Sequence, residues 1–178
     1  MENRRIVLKN GRQIDVRHAY SLPPDEEMAA VGPVDTEIGI LKLERLDGTP
    51  FALVYNFACH PIQGIPSGGN TADMSGFASQ VIEDNLGHGA IALFVQGCGC
   101  DINPLAYKHV NMPHDAEPLG NLLGLSTLKA ARTIKTSADA QLNMVNHTIG
   151  VPRADHSKRL AEMETEQRQL LKGLRGTS

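Results

Sequence analysis

The stretch Phe51-Ala52-Leu53-Val54-Tyr55-Asn56-Phe57-Ala58-Cys59-His60-Pro61 decides how the chain is read. Nine residues, mostly apolar, run without a charge, and a histidine and a proline follow at once. A run of this length, rich in branched and aromatic residues, reads as a strand buried on both faces. Ala90-Ile91-Ala92-Leu93-Phe94-Val95 repeats the pattern. It is followed by Gln96-Gly97-Cys98-Gly99-Cys100-Asp101-Ile102-Asn103-Pro104. Open α/β sheets bind ligands in the crevice beyond the carboxyl ends of their strands. His60, Asp101 and Asn103 are thereby expected on loops at strand ends. Asp73, which opens the helix between the two runs, is expected on the same rim.

Outward from these runs, the spacing predicts helices and hairpins. Met74, Phe77, Ala78, Val81, Ile82 and Leu86 recur at helical spacing, and Gly87 supplies the stop. Asn10-Gly11 predicts a hairpin between Arg4–Lys9 and Arg12–Arg17, because both turn residues tolerate positive φ. Asp47-Gly48 predicts a second, joining Glu37–Arg45 to Phe51–Ala58. His18 to Pro33 reads as an exposed loop. A second helix is expected after Asp115, which can cap it, with Pro118 in its first turn. Leu119, Leu122, Leu123, Ala130, Ala131 and Ile134 are its expected inner face, and Gly120 and Gly124 would admit a close neighbour. Gln141–Val151 reads as one more strand. Residues 157–175 read as a peripheral amphipathic helix capped by Ser157. Its narrow apolar stripe suits a surface, a partner, or self-association into a homo-oligomer. The fold class is α/β: a mixed sheet with antiparallel hairpins and two buried strands, helices packed on the sheet, and residues 1–178 as a single partial domain.

Composition narrows the function classes. The chain has 178 residues and a net charge of −3, with no basic block to attract nucleic acid or an anionic membrane. No apolar run is long enough for a transmembrane helix. The first residues lack the apolar segment of a signal peptide, so the chain as written reads as cytoplasmic. Three cysteines make no disulfide framework. They read as small residues in tight positions beside strand ends. The spacing of Cys59, Cys98, Cys100 and His60 fits no common structural zinc pattern.

The motifs together resemble a known family. Asn56-Phe57-Ala58-Cys59-His60-Pro61, Thr71-Ala72-Asp73-Met74-Ser75-Gly76, Phe94-Val95-Gln96-Gly97 and Asp101-Ile102-Asn103-Pro104 resemble the N-terminal catalytic domain of the neutral/alkaline non-lysosomal ceramidases. Val34-Asp35-Thr36-Glu37-Ile38-Gly39-Ile40-Leu41 is similar to the stretch before the family's histidine strand. The resemblance runs from about Arg4 to Ile134. It implies zinc-dependent hydrolysis of an amide, with a small N-acyl or lipid-like molecule as substrate. It also implies a secreted or periplasmic location for a full-length bacterial relative.

On that resemblance His60 matches a zinc-binding histidine, and imidazole is a suitable zinc donor. Its alternative is a hydrogen-bonded histidine at a strand end. Asp73 is a candidate metal ligand or a carboxylate that orients one, and alternatively a helix cap. Asp101 and Asn103 are the candidate catalytic side chains. Gly97, with Gln96 and Gly99, could aim backbone N–H groups at a developing oxyanion, or could simply turn the chain. His109 and His114 are accessory candidates.

The ceramidases carry a serine where this chain has Asn103. A carboxamide is no nucleophile, so a zinc-bound hydroxide would have to attack directly. The family's other zinc ligands lie outside the matched region, which makes the chain resemble the middle of a larger hydrolase. Two other classes remain open. One is a non-catalytic α/β module that binds a ligand or partner. The other is a cysteine hydrolase using Cys98 or Cys100 with His60.

Overall fold

A computed structural model describes residues 2–16, 21–64, 69–104, 115–139, 141 and 143–175. The chain separates into two compact units, Met1–Asp139 and Ala140–Ser178. The first carries the sheets. Its central sheet has the order β5-β6-β7, formed by Gly39–Glu44, Pro50–Phe57 and Ile91–Gln96. β5 and β6 are the antiparallel hairpin expected around Asp47-Gly48. Asp47 closes the turn by accepting the Thr49 N–H at 2.9 Å and the Thr49 hydroxyl at 2.7 Å. β6 and β7 run parallel, and a helix lies in the crossover that such a pair requires. That helix is α1, Asp73–Leu86, and Gly87 ends it at φ 63°.

One face of this sheet carries the core. Leu53, Tyr55 and Phe57 of β6 and Ala92 of β7 pack with Met74, Ala78 and Ile82 of α1. Tyr55 and Phe94 meet ring to ring, centroids 5.3 Å apart and tilted by 58°. The second helix, α2, spans Glu117–Ala131 and packs on α1. Gly120 permits this: a Cβ there would stand 2.5 Å from Phe77 Cβ and 2.7 Å from the Met74 carbonyl oxygen. Pro118 sits in the first turn as expected, but the helix is entered at Ala116 without a side-chain cap, and Asp115, one residue earlier, accepts the Glu117 N–H at 2.9 Å. The buried stripe differs from the expected one. Leu119, Leu123 and Ala131 are buried, but so are Thr127 and Leu128, while Leu122 is 53% exposed. Ala130 is exposed and Ile134 half-buried beyond the helix end. The close approach at Gly120 and Gly124 turns the helix so that Leu128 faces the core. Thr127 tolerates burial because its hydroxyl donates to the Leu123 carbonyl at 2.8 Å.

The other face of the sheet is open within this unit. Ile91, Leu93 and Val95 are 52, 51 and 47% exposed. β7 is therefore buried on one face, where the sequence predicts two. The helices of this unit lie on one side of the sheet, and an apolar run cannot tell one covered face from two.

Two smaller sheets complete the unit. The hairpin at Asn10-Gly11 forms, as β2 (Arg5–Leu8) with β3 (Gln13–Asp15). Its free edge takes β4, Met28–Val31, preceded by a 3-10 turn at Asp25–Glu27. This corrects the reading of His18 to Pro33 as loop throughout. β1 (Glu2–Asn3) pairs antiparallel with β8 (Ile102–Asn103).

In the second unit, α3 spans Ser157–Arg175, the expected range. The bond from the Leu160 N–H to the His156 carbonyl puts the helix entry at His156 rather than at the expected cap Ser157, and Asp155, two residues before Ser157, accepts the Ser157 N–H at 2.9 Å. Hydrogen bonds from Ser157 hold the Asp155 carboxyl below the usual range. Ion pairs of Arg159 with Glu162 and of Arg168 with Glu164 line the helix. The described residues of Gln141–Val151 form no strand, contrary to expectation. Among the described residues of this unit they have no strand to pair with, and a strand without a neighbour is not stable.

Candidate functional site

Beyond the ends of β6 and β7 the chain turns sharply twice, and the two turns are stitched together. After β6, the Ile62 N–H donates to the His60 carbonyl at 3.0 Å. After β7, the Gly99 N–H donates to the Gly97 carbonyl at 2.8 Å, and the Ile102 N–H to the Gly99 carbonyl at 2.9 Å. The His60 N–H donates across to the Ile102 carbonyl at 2.9 Å, and the His60 ring nitrogen Nε2 lies 3.0 Å from the Cys100 carbonyl. Gln96 adds a side-chain stitch, its Nε2 donating to the carbonyls of Cys59 and Gly97 at 3.1 Å each.

These turns wall a cleft of about 640 Å³, lined by His60, Ser75, Phe94, Gln96, Cys98 and Cys100 among others. His60 is half-buried in it, and the thiols of Cys98 and Cys100 are exposed. Cys59 is buried under the first turn, the position expected of a small apolar residue.

The other candidates are placed as follows. The Gly97 N–H donates to the Phe57 carbonyl at 2.9 Å, and the Gly99 N–H is held as above. Each glycine lies so close to Ala58 or Cys59 that a Cβ would come within 3.0 Å of backbone. Both N–H groups thus serve the turn and point at carbonyls of the fold. Asp101 follows the lining residue Cys100. Its carboxylate faces the N-terminal strands, 3.6 Å from Arg5 Nε and 3.3 Å from Asn3 Nδ2. Asn103 is buried in β8, paired with Glu2 across the ladder. Asp73 is buried and lines a separate, smaller cleft with Thr71, Gly76 and Gln80. Its Oδ1 accepts the Met74 N–H and its Oδ2 the Gly64 N–H, each at 2.7 Å. The first bond serves the helix start and the second anchors the loop that leaves His60. Asp73 also sits at φ 52°, a left-handed conformation uncommon outside glycine but tolerated by Asp. His109 and His114 lie outside the described residues.

The fold therefore brings His60, Gln96, Gly97, Cys98 and Cys100 together and sets Asp101 at their back, while Asp73 supports from another cleft. Catalytic zinc takes three protein ligands. Among the described residues no three His, Cys, Asp or Glu side chains gather where they could hold a metal. His60 offers one imidazole, and the Asp73 oxygens are taken by backbone N–H groups. These residues do not by themselves make a zinc centre. Among the described residues, no helix is long and apolar enough to cross a membrane.

Sequence reasoning missed three contributors. Ser75 lines the cleft from the first turn of α1, and Asn3 with Arg5 holds Asp101. No periodicity marks Ser75, and Asn3 stands 98 positions from Asp101.

No protein-family model matches the chain, and no curated protein matches it. Two solved structures are similar to it. One is the neutral ceramidase from Pseudomonas aeruginosa, 21% identical with a TM-score of 0.43. The other is a ceramidase complexed with C2, 21% identical with a TM-score of 0.44. In each case 65% of this chain is covered, and it spans 19% of the length of the ceramidase chain.

Proposed function

We propose that the chain forms one wall of a ceramidase-like, zinc-dependent hydrolase site that cleaves an N-acyl amide bond. The observation that carries this reading is the position of His60. It stands at the carboxyl end of β6, beside the turn that follows the parallel β7, in a cleft. That is where α/β sheets place their ligands. The motif order around it resembles the ceramidase catalytic domain. His60 supplies one metal-ligating imidazole, and the other ligands come from outside the described residues. Bound zinc would polarise the scissile carbonyl and supply hydroxide. The chain's own part is to hold His60 by its backbone and ring, and to keep its loop in place through the bond from Gly64 to Asp73.

A second reading, a non-catalytic module that binds a ligand in the same cleft, is favoured by one observation. The Asp73 carboxylate and the Gly97 and Gly99 N–H groups are already engaged by backbone.

Equilibrium dialysis of the chain against zinc, followed by assay on an N-acyl sphingosine, separates the two. The hydrolase reading expects weak zinc binding that His60→Ala abolishes, and no turnover by the chain alone. Zinc binding that is unchanged in His60→Ala, or none at all, leaves only the module. Stoichiometric zinc with turnover would mean that this chain holds a complete site.

A further inference from the structure

We infer that the cleft beside His60 takes a primary ammonium group, the amine end of its ligand, and turns away anions. This rests on the reading of that cleft as the ligand site, and adds which half of an N-acyl amine it holds. Among the described residues, no side chain with a fixed charge lines the cleft. Three polar side chains other than thiols do, those of His60, Ser75 and Gln96. Each spends its hydrogens on carbonyls of the fold and keeps its lone pairs.

Gln96 Nε2 donates to the Cys59 and Gly97 carbonyls. Both partners only accept, so that end is the NH2 group, both its hydrogens are taken, and Oε1 is left over. Ser75 Oγ gives its one hydrogen to the Ala72 carbonyl at 2.6 Å. The neutral His60 ring gives its Nε2 hydrogen to the Cys100 carbonyl and keeps the lone pair of Nδ1. Among the described residues nothing donates to Oε1 of Gln96, Oγ of Ser75 or Nδ1 of His60. The backbone follows suit: the N–H groups of His60, Gly97 and Gly99 go to the carbonyls of Ile102, Phe57 and Gly97. Cys98 and Cys100 add only thiols, which are weak donors.

A carboxylate or phosphate brings lone pairs of its own, and would give up its water with few N–H groups to replace it. An alkylammonium is the reverse, three donors and no acceptor. Hydrogen bonds from a charged donor are roughly twice as strong as neutral ones. Phe94, half-buried in the same wall, adds an aromatic surface, which favours a cation. Hydrolysis of an N-acyl amine makes such a group. The acyl carbon takes the oxygen of water, the C–N bond breaks, and both water protons end on nitrogen, giving a carboxylate and an ammonium. The cleft fits the second product.

NMR titration of the full, metal-free chain with n-butylammonium, butyrate and n-butyltrimethylammonium tests this. The expected result is saturable shifts at the Ser75, Gln96 and Gly97 amides with n-butylammonium, at a Kd on the order of millimolar, and none with butyrate. The quaternary ion, which has the charge and the chain but no N–H, should bind about tenfold more weakly. Gln96→Met should weaken n-butylammonium about tenfold and leave the quaternary ion unchanged. Circular dichroism confirms folding, and Ser75→Ala is the second variant should Gln96→Met fail to fold. Butyrate that binds as tightly, a quaternary ion that matches the primary one, or no saturable binding overturns the inference. So does equal weakening of both cations in the variant, because the side chain would then only shape the cleft. Zinc reads separately. Zinc bound through His60 without discrimination among these probes ends this inference and leaves the hydrolase reading standing, and discrimination without zinc does the reverse.

Discussion

The Nε2 of His60 stands 3.0 Å from the carbonyl oxygen of Cys100. A carbonyl only accepts, so in the neutral ring Nε2 carries the proton and Nδ1 keeps the lone pair. The nitrogen left to bind a metal or take a proton is thus Nδ1. Nitrogen-15 spectra of the neutral ring should show the Nε2–H tautomer for His60. A protonated Nδ1 at neutral charge would mean that the bond to Cys100 is not made in solution.

Asp73→Ala should cost about 2–4 kcal/mol, since it leaves two buried N–H groups unpaired and puts alanine at a left-handed φ. Asp73→Asn should cost less, because asparagine keeps one acceptor and tolerates that φ. Urea denaturation gives the size of the effect. Faster amide exchange at Gly64 in the alanine variant locates it in the loop that follows His60. An alanine variant as stable as the parent would show that neither bond matters.

Gly120→Ala should destabilise by roughly 1–3 kcal/mol despite alanine's better helix propensity. The added methyl would collide with Phe77 Cβ and the Met74 carbonyl, both parts of α1 that cannot swing aside. Gly173→Ala in α3 meets nothing within 4 Å and should raise helix content instead. Thermal melts followed by circular dichroism read both signs. A neutral Gly120→Ala would mean that α1 and α2 are less closely packed than described.

Tyr55 titrates above its ordinary value of 10.0, chiefly because burial penalises the phenolate. Its folded-state pKa is raised, so the associated stability is complete below the unfolded pKa and is lost as pH rises through the folded one. Stability should therefore fall on the alkaline side, beginning near pH 10. Tyr55→Phe should flatten that fall. It should also cost about 1 kcal/mol at neutral pH through the lost bonds to the Ser75 carbonyl and Ser79 Oγ. An alkaline limb with the same slope in both proteins would rule the tyrosine out as its source.

What the sequence made legible was local. Asn10-Gly11 and Asp47-Gly48 set their hairpins because the turn chemistry is complete within a few residues. Met74 to Leu86 announced α1 because six apolar residues share one face of it. What stayed hidden was pairing over distance. Nothing near Met28–Val31 says that β2 has an edge for it, and nothing near Leu128 says that Gly120 rotates α2. The same limit governs the cleft. His60 and the glycine turn were visible as strand-end loops, but which N–H groups the turns consume depends on contacts between them. Asp73 could be read as a helix cap, whereas its grip on Gly64 could not, since nine positions separate them.

The short pairing of Glu2–Asn3 with Ile102–Asn103 has a consequence for how the cleft comes into being. Asn3 and Asp101 are 98 positions apart, so this rung closes a loop that includes both hairpins, α1 and the central sheet. Closing so long a loop for a two-residue ladder is unfavourable until the intervening parts are in place. The amino-terminal strand is then the last piece to dock, and it docks behind Asp101, on the turn that carries the Cys100 carbonyl. During synthesis on the ribosome Glu2 and Asn3 would wait without their ladder partners until Ile102 and Asn103 had emerged. The bonds that hold His60 run to Ile102 and Cys100, so they can form before that rung closes behind them.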